Sequence, residues 1–587
     1  MTRIVSTTID RESQLSSILT GQAGVPIPSG VPAEVQFSQA VEAFKRGDLG
    51  LALKLAEQNV SAMGTPSWHH LVGLIHCRQG RPARGVEHLR LAAQAEPTNA
   101  GFKVMLARAL IDSGRPADVL RMERPSPTPA PADLALWHAR AEAGEAAGSR
   151  EAAVEAWTII ATHTEGDPSA WTNLARCLFA IGRSDEAATA CRQALALSPQ
   201  DLTALSTLGL IHERTNRHDE LDQLLDKALR DGIGKSQLGY LWAVREQRAG
   251  HLREARDILL KSDPAEDPVR WHRLRAKIAD KAGDTTAAFE AAASMNRATA
   301  HFEEWRKRGA ALRQDLRALA RAMTPEWAGR ITRLGPSPGR VPVFLVGLPR
   351  SGTTLLDTFL MGHPSIDVLE EKEILRRAGK ITGPALRLQD CREITLERAR
   401  QAYLNELGSY VDPSFAGTVI DKNPFNMLLA PLIDALFRGT PIIFAKRHPC
   451  DTVLSGFMQS YDPSIGFASF LDLSDAADLY DAAMSVWVAS TEILPLNVHT
   501  VAYEDLIENP ARQLRTLVDF LGLDWDERVM DHRATAKARG ALTNTSYDQI
   551  TEPLTHAPVG RWRRYEKQLE PVLPILMKWA NLLGYAD

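Results

Sequence analysis

Residues 344–360 read FLVGLPRSGTTLLDTFL, and this stretch decides how the carboxy-terminal part of the chain folds. The apolar, β-branched run at 341–347 predicts a buried parallel strand. A loop containing Gly347 and Gly352 follows it and leads into an apolar helical stretch. A strand, a glycine-containing loop and a helix in this order bring backbone N–H groups to a helix N-terminus, where they and the helix dipole favour a phosphate-like anion.

The loop differs from the phosphate loop of nucleoside triphosphatases at one decisive position. It nearly matches GxxxxGK[ST], but Thr353 stands where the lysine belongs, and the positive charge is Arg350 inside the loop. A triphosphatase needs that lysine on the β- and γ-phosphates. The loop therefore favours a smaller anion cluster without metal, while a P-loop kinase or NTPase and a nucleotide-binding scaffold without turnover remain the alternatives.

Three more segments predict strands of the same sheet: 417–422 (GTVIDK), 441–446 (PIIFAK) and 497–504 (NVHTVAYE). Helical stretches separate them, which is typical of a central parallel sheet covered by helices. We therefore predict a P-loop-like α/β domain over residues 341–587, preceded by a linker at 321–340 that contains Pro336.

The amino-terminal half repeats with a period of 33 or 34 residues. Turn residues recur at Gly47, Gly80, Gly114, Gly148, Gly182, Asn216, Gly250 and Gly283, and seven residues before each stands an alanine or glycine. Gly and Asn tolerate a positive φ at a helix C-terminus, and small residues let two helices approach closely. Because one such hairpin cannot bury its apolar face alone, neighbours must stack into an α-solenoid.

The repeat resembles the tetratricopeptide repeat (TPR), most visibly in residues 169–199. We predict TPR helical repeats over residues 35–320, after an amino-terminal extension at 1–34. The resemblance implies a concave surface that binds a peptide or a partner protein, and it does not identify that partner.

The segment PRSGTTL (349–355) resembles the 5′-phosphosulfate loop of the sulfotransferases. The resemblance implies that this loop binds 3′-phosphoadenosine 5′-phosphosulfate (PAPS), whose product is PAP, through Pro349, Arg350, Ser351, Gly352, Thr353 and Thr354. Downstream, AKRHPCDTVLSG (445–456) matches the family's second motif. There the resemblance implies that Arg447 and Ser455 hold the 3′-phosphate by charge-assisted and hydroxyl hydrogen bonds.

Two later segments, VAYEDL (501–506) and VGRWRRYEKQL (559–569), also look like sulfotransferase sequence. By resemblance Tyr503 lies near the adenosine, while Ser546 and Arg561 contribute further cofactor contacts.

Within this family the chain most resembles the protein-tyrosine sulfotransferases. GHPSIDVLEEKEIL (362–375) matches the stretch in which those enzymes carry two adjacent glutamates, which makes Glu371 the general base. DKNPF (421–425) matches their lysine-bearing segment and puts Lys422 beside the transferred group. The resemblance implies a PAPS-dependent enzyme without metal that sulfates a hydroxyl, with protein or peptide tyrosine first and a saccharide or small molecule as the alternative.

Composition narrows the partners and the compartment. The chain has 587 residues with 68 Lys and Arg against 72 Asp and Glu, a balance that argues against a dedicated nucleic-acid binder. No apolar run approaches the length of a membrane span or signal peptide, and five cysteines are scattered without CxxC spacing. We expect a cytoplasmic protein with no nucleic-acid partner and no membrane span.

One charge pattern lies inside the predicted enzyme domain. Residues 451–500 contain no Lys or Arg but several Asp. The pattern predicts an acidic helix face exposed on the surface.

Overall fold

A computed structural model of the chain describes residues 33–164, 166–265, 267–337, 339–461, 464–538 and 553–585. The chain forms two compact units, one ending at Leu241 and the other beginning at Trp242. The helices of the first unit are α1 (Ala33–Lys45), α2 (Leu49–Met63), α3 (Pro66–Arg78), α4 (Pro82–Ala95), α5 (Ala100–Asp112), α6 (Pro116–Leu120), α7 (Pro131–Ala146), α8 (Arg150–His163), α9 (Pro168–Ala180), α10 (Ser184–Leu197), α11 (Leu202–Arg214), α12 (His218–Arg230) and a 3-10 turn (Lys235–Leu238).

Helix α13 (Gly239–Arg248) runs through the boundary. The second unit continues with α14 (Leu252–Leu259), α15 (Pro268–Lys281), α16 (Thr285–Arg297), α17 (Phe302–Ala322), α18 (Pro325–Arg330), α19 (Thr353–Leu360), α20 (Ile374–Thr382), α21 (Glu393–Gly408), α22 (Ala430–Leu436), α23 (Pro449–Phe457), α24 (Leu473–Ile493), α25 (Tyr503–Glu508), α26 (Pro510–Phe520), α27 (His532–Ala538), α28 (Glu566–Leu569) and α29 (Leu573–Leu582). Its 3-10 turns span Ala385–Asp390, Pro424–Leu429, Ala468–Leu471, Glu527–Met530 and Arg561–Tyr565.

The repeat prediction is confirmed at every one of its turn positions. The residues at positive φ include Gly47, Gly80, Gly114, Gly148, Gly182, Asn216, Gly250 and Gly283, with φ between 60° and 84°. Each lies between two consecutive helices that form a hairpin. The small residue seven positions earlier is required by close packing: a Cβ on Gly209 would lie 2.3 Å from Leu241 Cδ1, and one on Gly73 would lie 2.5 Å from Leu89 Cγ.

The second unit is built on a five-stranded parallel sheet. Its strands are β1 (Val343–Gly347), β2 (Ile366–Glu370), β3 (Thr418–Lys422), β4 (Pro441–Lys446) and β5 (Asn497–Ala502), in the order β2-β3-β1-β4-β5. Along β1, Phe344 and Val346 enter one apolar core, and Val343 and Leu345 enter the other. Helices therefore bury both faces of the sheet, as the continuous apolar run predicts.

Four of the strands lie where the sequence predicts them, but β2 was not predicted. Its apolar pattern is interrupted by Asp367 and Glu370, which are only half-buried. Strand β2 lies at the edge of the sheet. A strand with one paired edge can carry such residues. The strand matters because it delivers Glu371 to the carboxyl end of the sheet.

The expectation of an exposed acidic face over 451–500 is wrong for helix α24. Asp475 accepts hydrogen bonds from Arg306 Nε at 2.8 Å and from Arg313 Nη2 at 2.7 Å. Arg317 forms an ion pair with Asp478 at 3.2 Å. These aspartates are the docking surface of α17, whose arginines stand more than 150 residues earlier in the sequence.

In the part of the chain that the structure describes, no helix combines the length and apolar character needed to cross a bilayer. All five cysteines are unpaired thiols. The domain boundaries at 34/35, 320/321 and 340/341 stay predictions, although helices of the repeat type continue into the second unit as α15 and α16.

Replacing Arg313 by alanine should destabilise the second unit. The guanidinium is buried and bonds Asp475 and the Ser469 hydroxyl, so its loss leaves buried acceptors with fewer donors. We expect a loss of about 3 kcal/mol in unfolding free energy, measured by urea unfolding followed through tryptophan fluorescence. The matched control is Arg308→Ala on the same helix, whose exposed ion pair with Glu304 is worth under about 1 kcal/mol. Equal losses in the two variants would contradict the α17–α24 assignment.

Candidate active site

The phosphate-type loop lies at the carboxyl ends of β1 and β4, between β1 and α19. A Cβ on Gly352 (φ +98°) would lie 2.6 Å from the Tyr503 ring, and one on Gly347 would lie 2.5 Å from the Ala445 carbonyl oxygen. Both positions therefore require glycine. Arg350 adopts φ +72°, which is unusual for a residue with a side chain and typical of functional loops.

The structure brings together the two halves of the predicted anion site. Arg350 Nε donates to Ser455 Oγ at 3.1 Å, and Arg447 Nη1 donates to the Arg350 carbonyl oxygen at 3.2 Å. The Arg447 guanidinium also lies 4.7 Å from the centre of the Tyr503 ring. Pro349, Ser351, Thr353 and Thr354 are buried in the loop and the first turn of α19.

Several cations converge at this end of the site. Burial lowers the pKa of the Arg350 guanidinium, and the neighbouring charges of Arg447 and Arg561 lower it further. Like charges placed this close repel one another unless an anion lies between them. The arrangement therefore suits a multiply charged phosphate or sulfate group.

Buried donors at the same end have no hydrogen-bond partner. They are Ser351 Oγ, Arg447 Nε, Tyr461 Oη and Arg561 Nε. A buried polar group without a partner is costly, so such groups in one place indicate a polar ligand. Together with the arginine cluster, these donors fit the phosphates and sulfate of PAPS.

The other predicted catalytic residues form a second cluster around Lys422. Its amine is fully buried and lies 2.9 Å from Glu371 Oε1, 3.1 Å from Asp357 Oδ2 and 3.5 Å from Glu370 Oε1. Burial alone would lower the pKa of Lys422, but the three carboxylates outweigh it and raise the pKa above its usual value. The amine therefore stays protonated.

Glu371 follows β2 in a left-handed backbone conformation. Strand pairing sets Glu370 opposite Lys422, and the Glu371 amide donates to the Lys422 carbonyl oxygen at 2.6 Å. The residue adopts φ +48°, and its side chain is 42% exposed. Glu371 thus reaches solvent while holding an amine that does not.

Asp357 was missed by the sequence analysis. It is fully buried in α19 and touches the Lys422 amine. The only signal in the sequence is a lone acid inside the apolar stretch LLDTFL (355–360). An acid in such a stretch must find a cation or a donor.

Of the three further residues that the resemblance assigns to the cofactor, the structure describes Arg561 and Tyr503. Arg561 lies at the start of a 3-10 turn whose flanking amides, those of Gly560 and Trp562, both donate to Asp451 of α23, at 2.7 and 2.8 Å. Ser546 lies outside the described residues. Tyr503 begins α25 and packs on Gly352. Its contact with an adenosine stays a prediction.

Among the described residues, one group of side chains has the spacing of metal ligands, and it lies outside these two clusters. It comprises Glu246, His251 and Glu254, whose ligand atoms lie within 4.8 Å of one another. His251 Nδ1 and Glu246 Oε2 already form a hydrogen bond at 2.8 Å, and two of the three residues are exposed. Exposed acidic groups commonly have this spacing without a metal ion.

Two parts of the chain match models of known protein families. Residues 342–527 match the family model described as the sulfotransferase family, and residues 138–202 match a tetratricopeptide repeat model. The α/β fold, the TPR helices and both resemblances predicted from sequence are confirmed.

Relatives match over part of their length. An uncharacterized protein of Aquifex aeolicus is 26% identical over 51% of this chain and 40% of its own. Protein-tyrosine sulfotransferase A of Caenorhabditis elegans is 26% identical over 38% of this chain and 60% of its own, and protein-tyrosine sulfotransferase 2 of Gallus gallus is 25% identical over 38% and 62%. The chain thus spans between 40% and 62% of the length of these relatives.

Two solved structures are each similar to less than half of the chain. The sulfotransferase domain of the Synechococcus olefin synthase is 20% identical, with a TM-score of 0.29, and covers 42% of this chain and 98% of that one. A tetratricopeptide repeat protein of Parabacteroides merdae is 12% identical, with a TM-score of 0.28, and covers 46% and 93%.

The residue before Lys422 should give the protein a pH-dependent stability. Burial raises the pKa of Asp421 to about 7, although the Tyr403 hydroxyl donates to it at 2.8 Å. An aspartate in the unfolded chain has a pKa of about 3.9. Because the folded pKa is the higher one, the stabilisation is complete below about pH 4 and is lost as the pH rises to about 7.

We therefore expect the unfolding free energy of the wild type to fall by up to about 4 kcal/mol between about pH 4 and 7 through this carboxyl. Asp421→Asn should lack this fall. The measurement is the urea midpoint as a function of pH for the wild type and the variant. Asp412→Asn, at an exposed position, should keep nearly all of the wild-type slope. Parallel slopes for Asp421→Asn and the wild type would contradict a protonated buried carboxyl.

Proposed function

From a chain that carries a sulfotransferase-family domain joined to tetratricopeptide repeats, we propose a PAPS-dependent sulfotransferase whose acceptor is the hydroxyl of a protein or peptide tyrosine. The observation that carries the proposal is that Arg350 contacts both Ser455 and Arg447, so that the two motifs lie together. A kinase or NTPase is disfavoured because Thr353 stands where the phosphate loop of a triphosphatase requires a lysine.

The donor site is assigned to the loop and the arginine cluster. Arg350 and the first-turn amides of α19 would hold the 5′-phosphosulfate, and Arg447 with Ser455 the 3′-phosphate. When bound, PAPS supplies the sulfuryl group and leaves as PAP when that group moves to the acceptor oxygen. Arg350 and Lys422 would offset the negative charge on the leaving phosphate oxygen, and such electrostatic stabilisation is usually the largest contribution to catalysis.

Glu371 is proposed to take the proton of the acceptor hydroxyl. Its carboxylate is held at one oxygen by Lys422, and its side chain is exposed enough for an acceptor to reach it. Asp357 of α19 forms an ion pair with the same amine. This contact fixes the position of the Lys422 amine and therefore of the Glu371 carboxylate bound to it. The left-handed backbone at Glu371 is the kind of strain found at catalytic positions.

An aromatic acceptor is supported by an aromatic wall made of Phe425, Tyr461 and Phe467. Phe425 stands three residues after Lys422, and its ring meets that of Phe467 edge-on at 5.5 Å. Tyr461 stacks on Phe467 at 4.4 Å. Burial raises the pKa of Tyr461, Arg350 lowers it and Glu371 raises it, so the phenol lies near both catalytic residues. Half-buried rings of this kind pack against a tyrosine side chain.

The repeats are proposed to bind the acceptor protein or a partner. Stacked helical hairpins present an extended surface, which suits a peptide better than a small molecule. A saccharide or small-molecule acceptor would leave this surface without a role in the reaction. The cytoplasmic location stays a prediction of the sequence.

Arg350→Ala should weaken the binding of PAP. The loss of one charge-assisted contact corresponds to about tenfold to a hundredfold weaker binding, measured by calorimetric titration in parallel with ATP plus magnesium. Arg376→Ala is the matched control, because Arg376 is exposed and pairs with Glu373. A wild-type protein that prefers ATP plus magnesium to PAP would contradict the proposal in favour of a kinase or NTPase.

Glu371→Gln should lower the turnover of a tyrosine peptide with labelled PAPS by about 10² to 10⁴, with PAP affinity unchanged within about twofold. The reason is that glutamine cannot accept the hydroxyl proton. Glu373→Gln, an exposed neighbour that pairs with Arg376, should keep wild-type turnover. Full activity of Glu371→Gln would contradict the role of Glu371 as the general base.

A further inference from the structure

The last two helices before α17 pack against the elements that carry the predicted 3′-phosphate residues. Asn296 of α16 is buried, and its Nδ2 donates to the carbonyl oxygen of Phe457, the last residue of α23, at 3.0 Å. The Phe289 ring stacks on that of Phe457 at 4.8 Å. Helix α23 also carries Ser455, so α16 supports the helix that presents this hydroxyl.

Helix α15 contributes a carboxylate to the same region. Asp280 Oδ2 accepts from Arg561 Nη2 at 3.0 Å, while Oδ1 accepts from the Tyr565 hydroxyl at 2.6 Å and from Arg564 Nη2 at 3.2 Å. One aspartate therefore ties three side chains of the 3-10 turn at Arg561–Tyr565 to the helical repeats. The Asp280 side chain is 22% exposed, which strengthens these bonds relative to a surface pair.

Arg561 stands beside the residues assigned to the 3′-phosphate. The segment before it is fixed to Arg447, whose Nη2 donates to the Pro558 carbonyl oxygen at 2.5 Å. The two amides that flank Arg561 are bonded to Asp451 of α23. The backbone of Arg561 is thus fixed from α23, and its side chain is fixed from α15.

We propose that Asp280 is a positioning residue that holds Arg561 toward the 3′-phosphate of the nucleotide, so that the terminal helical repeat is part of the cofactor site. This inference rests on the proposed function. Asp280 engages one terminal nitrogen of Arg561, while Arg561 Nε is buried without a hydrogen-bond partner. The guanidinium thus keeps donor capacity for an anion.

The charge balance favours positioning over competition with the nucleotide. Asp280 is shared by two arginines, so the group of Asp280, Arg561 and Arg564 keeps a net positive charge. Without the carboxylate, the two arginines would repel each other as well as Arg447 and Arg350. The side chain of Arg561 would then lose its fixed direction, and preorganised donors bind anions better than mobile ones.

The test is a calorimetric titration of the full-length chain with PAP and, separately, with 5′-AMP, which lacks the 3′-phosphate. Asp280→Asn keeps the size of the side chain and removes its charge. It should weaken PAP binding by about tenfold, the size of one charge-assisted hydrogen bond, and leave 5′-AMP binding unchanged. In an Arg561→Ala background, Asp280→Asn should have no further effect on PAP binding.

Asp284→Asn is the matched control on the same hairpin. Asp284 caps α16 by accepting from the Ala287 amide, a role that asparagine performs equally well, so PAP binding should stay at the wild-type value. Equal weakening of PAP and 5′-AMP binding, an effect that persists without Arg561, or tighter PAP binding by Asp280→Asn would each overturn the inference. Unchanged PAP binding by Asp280→Asn contradicts this inference alone. Failure of the wild type to bind PAP contradicts the proposed function as well.

Discussion

The buried amine of Lys422 is the interaction on which the rest of the site depends. It lies on β3 and binds carboxylates from α19 and from the end of β2, so one side chain joins three elements at the carboxyl end of the sheet. Removing one partner of a buried ion pair typically costs about 3–5 kcal/mol. One of these carboxylates belongs to Glu371, whose backbone adopts φ +48°. Structural stability and the placement of the candidate base therefore have one physical origin.

The two ends of the site have opposite electrostatic character. At the end that holds the phosphate-type loop, the guanidinium groups of Arg350, Arg447 and Arg561 lie near one another and near buried donors without a hydrogen-bond partner. At the other end, three carboxylates share the single amine of Lys422. Under the proposed function, a polyanionic donor is attracted to the first end, and the protonated amine of Lys422 at the second end lies beside the group that is transferred. The Glu371 carboxylate, which is partly exposed, is left to meet the acceptor hydroxyl.

Local patterns predicted much of the fold, and long-range contacts account for what was missed. The turn positions of the repeat and strands β1, β3, β4 and β5 follow from period and apolar character within a few residues. Asp357 and Asp280 act through partners 65 and 281 residues away. The aspartates of α24 were misread for the same reason, because no window around Asp475 contains Arg313. Strand β2 was missed because an edge strand tolerates polar residues.

The terminal helices of the repeat type belong physically to the sheet domain. Ala288 of α16 enters the same apolar core as Phe344 and Val346 of β1. Asn296 donates a hydrogen bond to a carbonyl oxygen of α23. A hairpin that shares a core with a neighbouring element cannot shift without disturbing it, because packed cores are not continuously deformable. Any ligand that moves α15 or α16 must therefore change the surroundings of Ser455 and Arg561. The last hairpin of the repeat type is accordingly packed together with the elements that carry Ser455 and Arg561, in addition to any binding surface the repeats present.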